Sequence, residues 1–220
     1  VETACFPHNL FDEYGYNIKV FGQKSWNGVA TFSKCSLEDV KMGLPTYPDV
    51  NARFLECVVD GRVRLINVYM PNGDTVSSPK FPYKLEWMTA FTKYIAQYLN
   101  SPEPVIVAGD FNVALADVDV WKPANYVDIA IAAPAARAIM QSWIDSGWTD
   151  AWRALHPDDV GFTWFGYRGG DTVGKNMGLR LDYFLCNPAA MKLVKNCEVD
   201  IAPRMAQKPT DHCGLMLSLK

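Results

Sequence analysis

The sequence is short of histidine, with three in 220 residues, and none lies in a metal-finger spacing. Its six cysteines, Cys5, Cys35, Cys57, Cys186, Cys197 and Cys213, form no Cys-x-x-C pair. That scatter excludes a zinc module and a dense disulfide framework, and points to reduced core residues of a cytosolic protein. A large excess of either charge is also missing. The formal net charge of −3 excludes a protein that coats nucleic acid by bulk charge, while leaving room for a local basic groove. No apolar run approaches membrane-spanning length, and no stretch reads as a signal peptide. Repeats, low-complexity tracts and an obvious linker are absent too, so 1–220 reads as one domain.

Apolar residues make up 49% of the chain, enough for a substantial core. Tyr16 to Phe21 and Asn27 to Ser33 read as strands around the turn Gly22-Gln-Lys-Ser25. Arg53 to Asp60 and Arg62 to Tyr69 flank Gly61 as a hairpin. Phe81 to Leu99 carries Leu85, Met88, Phe91, Ile95 and Leu99 at helical spacing. Pro134 to Ile144 is a second helix with proline in its first turn. Strands are expected at Phe162 to Phe165, Leu179 to Cys186, Glu198 to Ala202 and Cys213 to Leu219, with a short helix at Ala189 to Val194. Many strands with few helices between them imply an α+β sandwich, packed sheets with helices outside.

The chain is organised around Pro104-Val-Ile-Val-Ala-Gly-Asp-Phe-Asn112. Val105 to Ala108 reads as a strand buried on both faces. Asp110 and Asn112 then leave its end on the same side, two residues apart. A carboxylate there can hold a metal or take a proton, and an amide can donate to a developing oxyanion. Turn chemistry after a strand is the plainer reading of the same four residues.

Other polar residues recur at strand ends: Glu2, Tyr69, Asn72, Asp211 and His212. Asp182 is stranger, a carboxylate inside the apolar run Leu179 to Leu185, where it is costly unless paired. His212 is its natural partner, since His8 and His156 lie in polar or loop segments. A structural Asp–His hydrogen bond would leave the same trace. Glu2, Asp110, Asn112 and Asp211 are hard oxygen ligands, which suit Mg²⁺ or Mn²⁺ rather than zinc. Metal-assisted phosphoester hydrolysis is the reaction this set implies.

The ordered motifs Glu2-Thr3, Gly22-Gln-Lys-Ser-Trp-Asn-Gly28, Asn67-Val-Tyr-Met-Pro-Asn-Gly73, Lys80-Phe-Pro-Tyr-Lys84, Gly109-Asp-Phe-Asn112, Thr163-Trp-Phe-Gly-Tyr-Arg168, Asn176-Met-Gly-Leu-Arg-Leu-Asp182 and Lys208-Pro-Thr-Asp-His212 run over nearly the whole chain. In these the sequence resembles exonuclease III and the apurinic/apyrimidinic endonucleases of base-excision repair, within the endonuclease/exonuclease/phosphatase superfamily. The resemblance implies a four-layer α/β sandwich, two packed mixed sheets flanked by helices. It implies a Mg²⁺-dependent enzyme of the bacterial cytoplasm, monomeric and free of membrane. Its substrate would be double-stranded DNA with abasic sites or 3′ ends.

It also implies roles. Glu2, Asp211, Asp110, Asn112 and His212 would surround the metal. Asp110 would handle the attacking water, Asn112 would donate to the phosphate, and Tyr69 would sit against it. Asp182 would hold His212. Trp26, Asn72, Lys84, Trp164, Arg168, Asn176, Leu179, Arg180 and Lys208 would touch DNA, with Trp164 and Leu179 walling a pocket for a flipped-out, baseless sugar. Lys80 and Lys175 would extend the phosphate track. The family's N-terminal β-α-β segment precedes the glutamate that Glu2 matches, so by that comparison 1–220 is expected to lack it. Two other readings stay open: a deoxyribonuclease I-like nuclease or inositol-phosphate phosphatase of the same superfamily, and a DNA-binding relative without catalysis.

Overall fold

The computed structural model describes residues 1–220. Its elements, in chain order, are α1 (Asn9–Asp12), β1 (Asn17–Phe21), β2 (Val29–Ser33), β3 (Leu37–Met42), β4 (Phe54–Val59), β5 (Val63–Tyr69), α2 (Lys80–Ile95), β6 (Val105–Asp110) and α3 (Pro134–Ser146). There follow β7 (Thr149–Asp150), α4 (Ala151–Leu155), β8 (Asp182–Cys186), α5 (Pro188–Met191), β9 (Val194–Asp200), α6 (Ala202–Met205) and β10 (Gly214–Leu219). No helix is long and apolar enough to cross a membrane.

A six-stranded mixed sheet of order β3-β4-β5-β6-β8-β7 forms the centre. Only β5 and β6 are parallel. A parallel pair needs a long crossover, and α2 supplies it. The buried stripe of α2 is Lys84, Trp87, Met88, Phe91, Tyr94 and Ile95, turned slightly from the expected stripe, with Leu85 at its margin. Together with α3 it covers one sheet face, packing on Phe54, Ile66, Val68, Val105, Val107, Tyr183 and Leu185. Alternate residues of the same strands face the other way. There Leu55 and Cys57 meet the antiparallel ribbon β1–β2, and Ile106 and Cys186 meet the ribbon β9–β10.

The architecture is thus the expected α+β sandwich of mixed sheets with flanking helices. Its second layer is two separate ribbons. An apolar groove of about 560 Å³ divides them, lined by Val59, Val63, Leu65, Leu193 and Leu219 among others. Three local expectations change. Phe162 to Phe165 forms no strand, only isolated bridges from Trp164 to Leu179 and to His212. The strand expected at Glu198 to Ala202 runs Val194–Asp200 and ends in α6. Strand β3 was missed because its sequence, Leu-Glu-Asp-Val-Lys-Met, is charged, bulged and largely exposed, as edge strands often are.

Candidate active site

Strand register builds the first half of the site. Tyr69 of β5 is paired with Asp110 of β6, and Asp110 with Asp182 of β8. Residues directly opposite in a ladder share a face, so three polar side chains stand in a row across the middle of the sheet. Gly109 makes the row possible. Its φ is +134°, and a Cβ there would lie 2.0 Å from the Val68 carbonyl oxygen, so no other residue fits.

Beyond β6 the chain turns at Asn112, which is buried and left-handed at φ +50°. The Asp110 carboxylate holds this turn by accepting from the Asn112 backbone N–H at 2.8 Å and from its Nδ2 at 2.9 Å. Nδ2 also donates to the Met70 carbonyl, and Oδ1 accepts from Asn72 Nδ2 at 2.8 Å. Both amide N–H groups of Asn112 are therefore engaged inside the protein, and a ligand would have to compete for the one on Asp110.

The second half is assembled from loops around Thr163 and Trp164. The Trp164 backbone exchanges hydrogen bonds with Leu179, Phe165 N–H donates to the Asp211 carbonyl, and Cys213 N–H donates to that of Thr163. Thr163 Oγ1 accepts from the N–H groups of Leu181 and Asp182. These ties bring His212 to Asp182, with Nδ1 to Oδ2 at 2.8 Å. Trp164 Nε1 donates to Asp211 Oδ2 at 3.0 Å.

The two halves enclose a cavity of about 540 Å³. Tyr69, Asn72, Asp110, Asn112, Asp211 and His212 supply its polar side, and Trp164, Leu179, Leu181, Ile129 and Ile131 its apolar side. Asn125 and Tyr126 complete the rim. Sequence reasoning did not find these last two; the turn formers of the loop from Asp117 were their only trace. Burial, and then the charge of Asp182, push the Asp110 carboxyl up to about 7, against the opposing pull of His212, the Asn112 N–H and Lys84. Burial alone would lower the His212 imidazole, but its bond to Asp182 and the charges of Asp182, Asp110 and Asp211 push it up to about 9. The Tyr69 phenol is raised by burial and by Asp110.

Arg53 was also missed. It donates from Nη1 to the Tyr69 carbonyl at 3.1 Å, and its guanidinium carbon lies 5.1 Å from the centre of the Tyr69 ring. A second cavity, about 620 Å³, adjoins the first through Tyr69 and Asn72 and holds Trp26, Arg53, Lys80 and Tyr83. Trp26 is 85% exposed, on a loop clamped by hydrogen bonds from Gln23 and Asn27 to Asn51.

Two expected DNA contacts, Arg180 and Lys84, need correction, and Glu2 and His212 take the following places. Glu2 is exposed in the segment before α1, where neighbouring Thr3 bonds to Gly22, and it lines neither cavity. His212 Nδ1 is held by Asp182, which leaves Nε2 as the ring nitrogen for any ligand. Arg180 is on no surface track. It is 1% exposed, with Nε on Asp119 at 2.7 Å and Nη1 on Asp150 at 2.6 Å, since a buried guanidinium needs carboxylates around it. Lys84 is fully buried beneath the Pro71–Gly73 turn. Arg168, Lys175, Asn176 and Lys208 are exposed, on loops joined by the bond from Tyr167 Oη to the Pro209 carbonyl.

The sequence profile of the Endonuclease/Exonuclease/phosphatase family matches residues 3–212. The chain belongs to this family. Similarity within it is to the exonuclease III and AP endonuclease branch. Exodeoxyribonuclease III of Haemophilus influenzae is 29% identical over all of this chain and 86% of its own length. An AP endonuclease from Archaeoglobus fulgidus has a TM-score of 0.95 at 31% identity, covering all of this chain and 85% of that one. A 3′ phosphatase from Neisseria, NExo, solved with a product DNA hairpin, gives 0.94 at 34%, with the same coverage. This family member is thus a nuclease-type phosphodiesterase, and the row Tyr69–Asp110–Asp182 with His212 lies inside the matched region.

Proposed function

We propose that the protein is a Mg²⁺-dependent DNA repair phosphodiesterase that cleaves DNA 5′ to abasic sites and removes 3′ nucleotides or 3′ blocking groups. The observation that carries this reading is the cavity itself, a row of proton-handling groups facing an apolar pocket. A carboxyl near 7 is poised to take a proton from water at neutral pH. Asp110 is that base. His212, charged at neutral pH and oriented through Nδ1 by Asp182, meets the negative charge that grows on the phosphate. The Tyr69 phenol stays protonated and donates to the same group.

The donor set fits Mg²⁺. No three His, Cys, Asp or Glu side chains stand close enough to cage a cation. Mg²⁺ does not require such a cage, being usually held by one or two carboxylates with substrate phosphate. Asp110 and Asp211, with the side-chain oxygen Oδ1 of Asn112, would hold it, and Mn²⁺ can take its place. Burial, and then the charge of Asp182, holds the Asp110 carboxyl up, and a cation beside it would favour its ionised form. When bound, the ion supplies Lewis-acid stabilisation of the phosphoryl oxygens.

Trp164 and Leu179 accept a deoxyribose without its base. Arg168, Lys175, Asn176 and Lys208, on the loops that flank Trp164 and Asp211, follow the duplex backbone with Lys80, Trp26 and Asn72. A panel of duplex oligonucleotides tests the proposal: an internal abasic site, a recessed 3′ end and a 3′-phosphate, each with Mg²⁺ or EDTA. Turnover of at least one substrate in Mg²⁺ and of none in EDTA is expected. Hydrolysis of an inositol phosphate with no DNA cleaved would overturn it.

A further inference from the structure

Lys84 is the only lysine withdrawn fully from solvent, and the chemistry above leaves it without a task. Its side chain leaves α2 and passes beneath the turn at Gly73, where a Cβ would lie 2.8 Å from Lys84 Cδ. Its Nζ donates to three main-chain carbonyls: Pro71 at 3.1 Å, Asn72 at 3.2 Å and Asn112 at 2.5 Å. An ammonium has three donors and no acceptor, so three carbonyls satisfy it completely. These carbonyls belong to two separate segments, one leaving β5 and the other leaving β6. The same segments carry the bonded side chains of Asn72 and Asn112, and through Asn112 the Asp110 carboxylate. The left-handed backbone at Asn112 persists only if its surroundings over-determine it.

We propose that Lys84 is a positioning residue for the reaction: its ammonium ties the ends of β5 and β6 together and so fixes Asn72, Asn112 and Asp110 along one wall of the cavity. It touches neither DNA nor the reacting atoms. The readouts in turnover rest on the function proposed above.

Lys84→Met keeps most of the stem and removes the donors. With secondary structure intact by circular dichroism, kcat should fall about 10²-fold, the scale of loss from slight misplacement of catalytic groups. KM for duplex DNA and its salt dependence should stay as in the wild type, because no phosphate contact is lost. A raised KM with a shallower salt slope and intact kcat would mean that Lys84 reaches DNA after all. Wild-type values of both constants would leave it as packing. Should the variant fail to fold, the wild-type protein still answers. The Lys84 ¹⁵Nζ signal should exchange slowly and show scalar coupling across hydrogen bonds to the carbonyl carbons of Pro71, Asn72 and Asn112. Fast exchange without coupling would overturn the proposal. A wild-type protein inactive on every DNA substrate would sink the proposed function while leaving those couplings in place.

Discussion

Tyr69, Asp110 and Asp182 stand on strands of a continuous sheet, whereas Trp164, Leu179, Asp211 and His212 stand on loops tied by isolated bridges. The sheet half rests on the largest apolar cluster, under α2 and α3. The loop half rests on smaller clusters around Val120, Ile131, Phe162 and Cys213. One half is stiff because backbone pairing and core packing both hold it. The other is held by isolated bridges, single loop hydrogen bonds and smaller apolar clusters. The charged row and the apolar wall thus sit on different kinds of backbone within a single cavity.

The largest effect should come from the stiff half. Asp110→Asn keeps the shape of the strand end and removes the proposed base. Turnover should fall by about 10²–10⁴-fold or more, while gel-shift affinity for abasic duplex is retained. Activity near wild type would remove Asp110 from the chemistry.

Next comes the joint between the halves. Asp182→Ala and His212→Ala should each cripple turnover, and the double variant should be little worse than either, since residues acting as one unit are strongly non-additive. Losses that multiply would mean that the two halves act separately.

A smaller loss is expected in the loop half. Trp164→Ala should lower incision at an internal abasic site more than removal of a 3′-phosphate, because a frayed end needs less help to reach the pocket. Equal losses on both substrates would make Trp164 a packing residue.

The smallest effect is one of stability and pH. Asp110 has a folded pKa above its ordinary 3.8, pushed up to about 7. The folded state therefore holds the extra proton between these values, and its stability falls as pH rises through that window. In EDTA, Asp110→Asn should melt at a higher temperature than wild type at pH 8, with the difference vanishing below pH 4. Identical melting curves at pH 8 would show that the stiff half carries no such strain.

What could be read from the sequence follows the same division. Val105 to Ala108 was legible as a continuous apolar run, and the hairpin as two strand-forming segments flanking Gly61. The pairing of Asp182 with His212 was legible because a carboxylate in an apolar run demands a partner and the chain offers few. Lys84 and Arg180 misled for the opposite reason. A lone cation reads as surface, and only the fold shows three carbonyls around one and two carboxylates around the other. Thr163, whose hydroxyl oxygen accepts two backbone N–H groups, leaves no periodic trace at all. Neither does Arg53, which acts on Tyr69 across strands.

The row across β5, β6 and β8 has a consequence for the growing chain. Its members come from distant parts of the sequence, and β5 pairs with β6 only after the whole of α2 has been laid between them. Contacts of such long separation form slowly, because loops must close before the pairing rewards them. The imidazole that completes the row belongs to the segment just before β10, so a partly synthesised chain holds Tyr69 and Asp110 without it. The cavity is then among the last parts of the molecule to be completed.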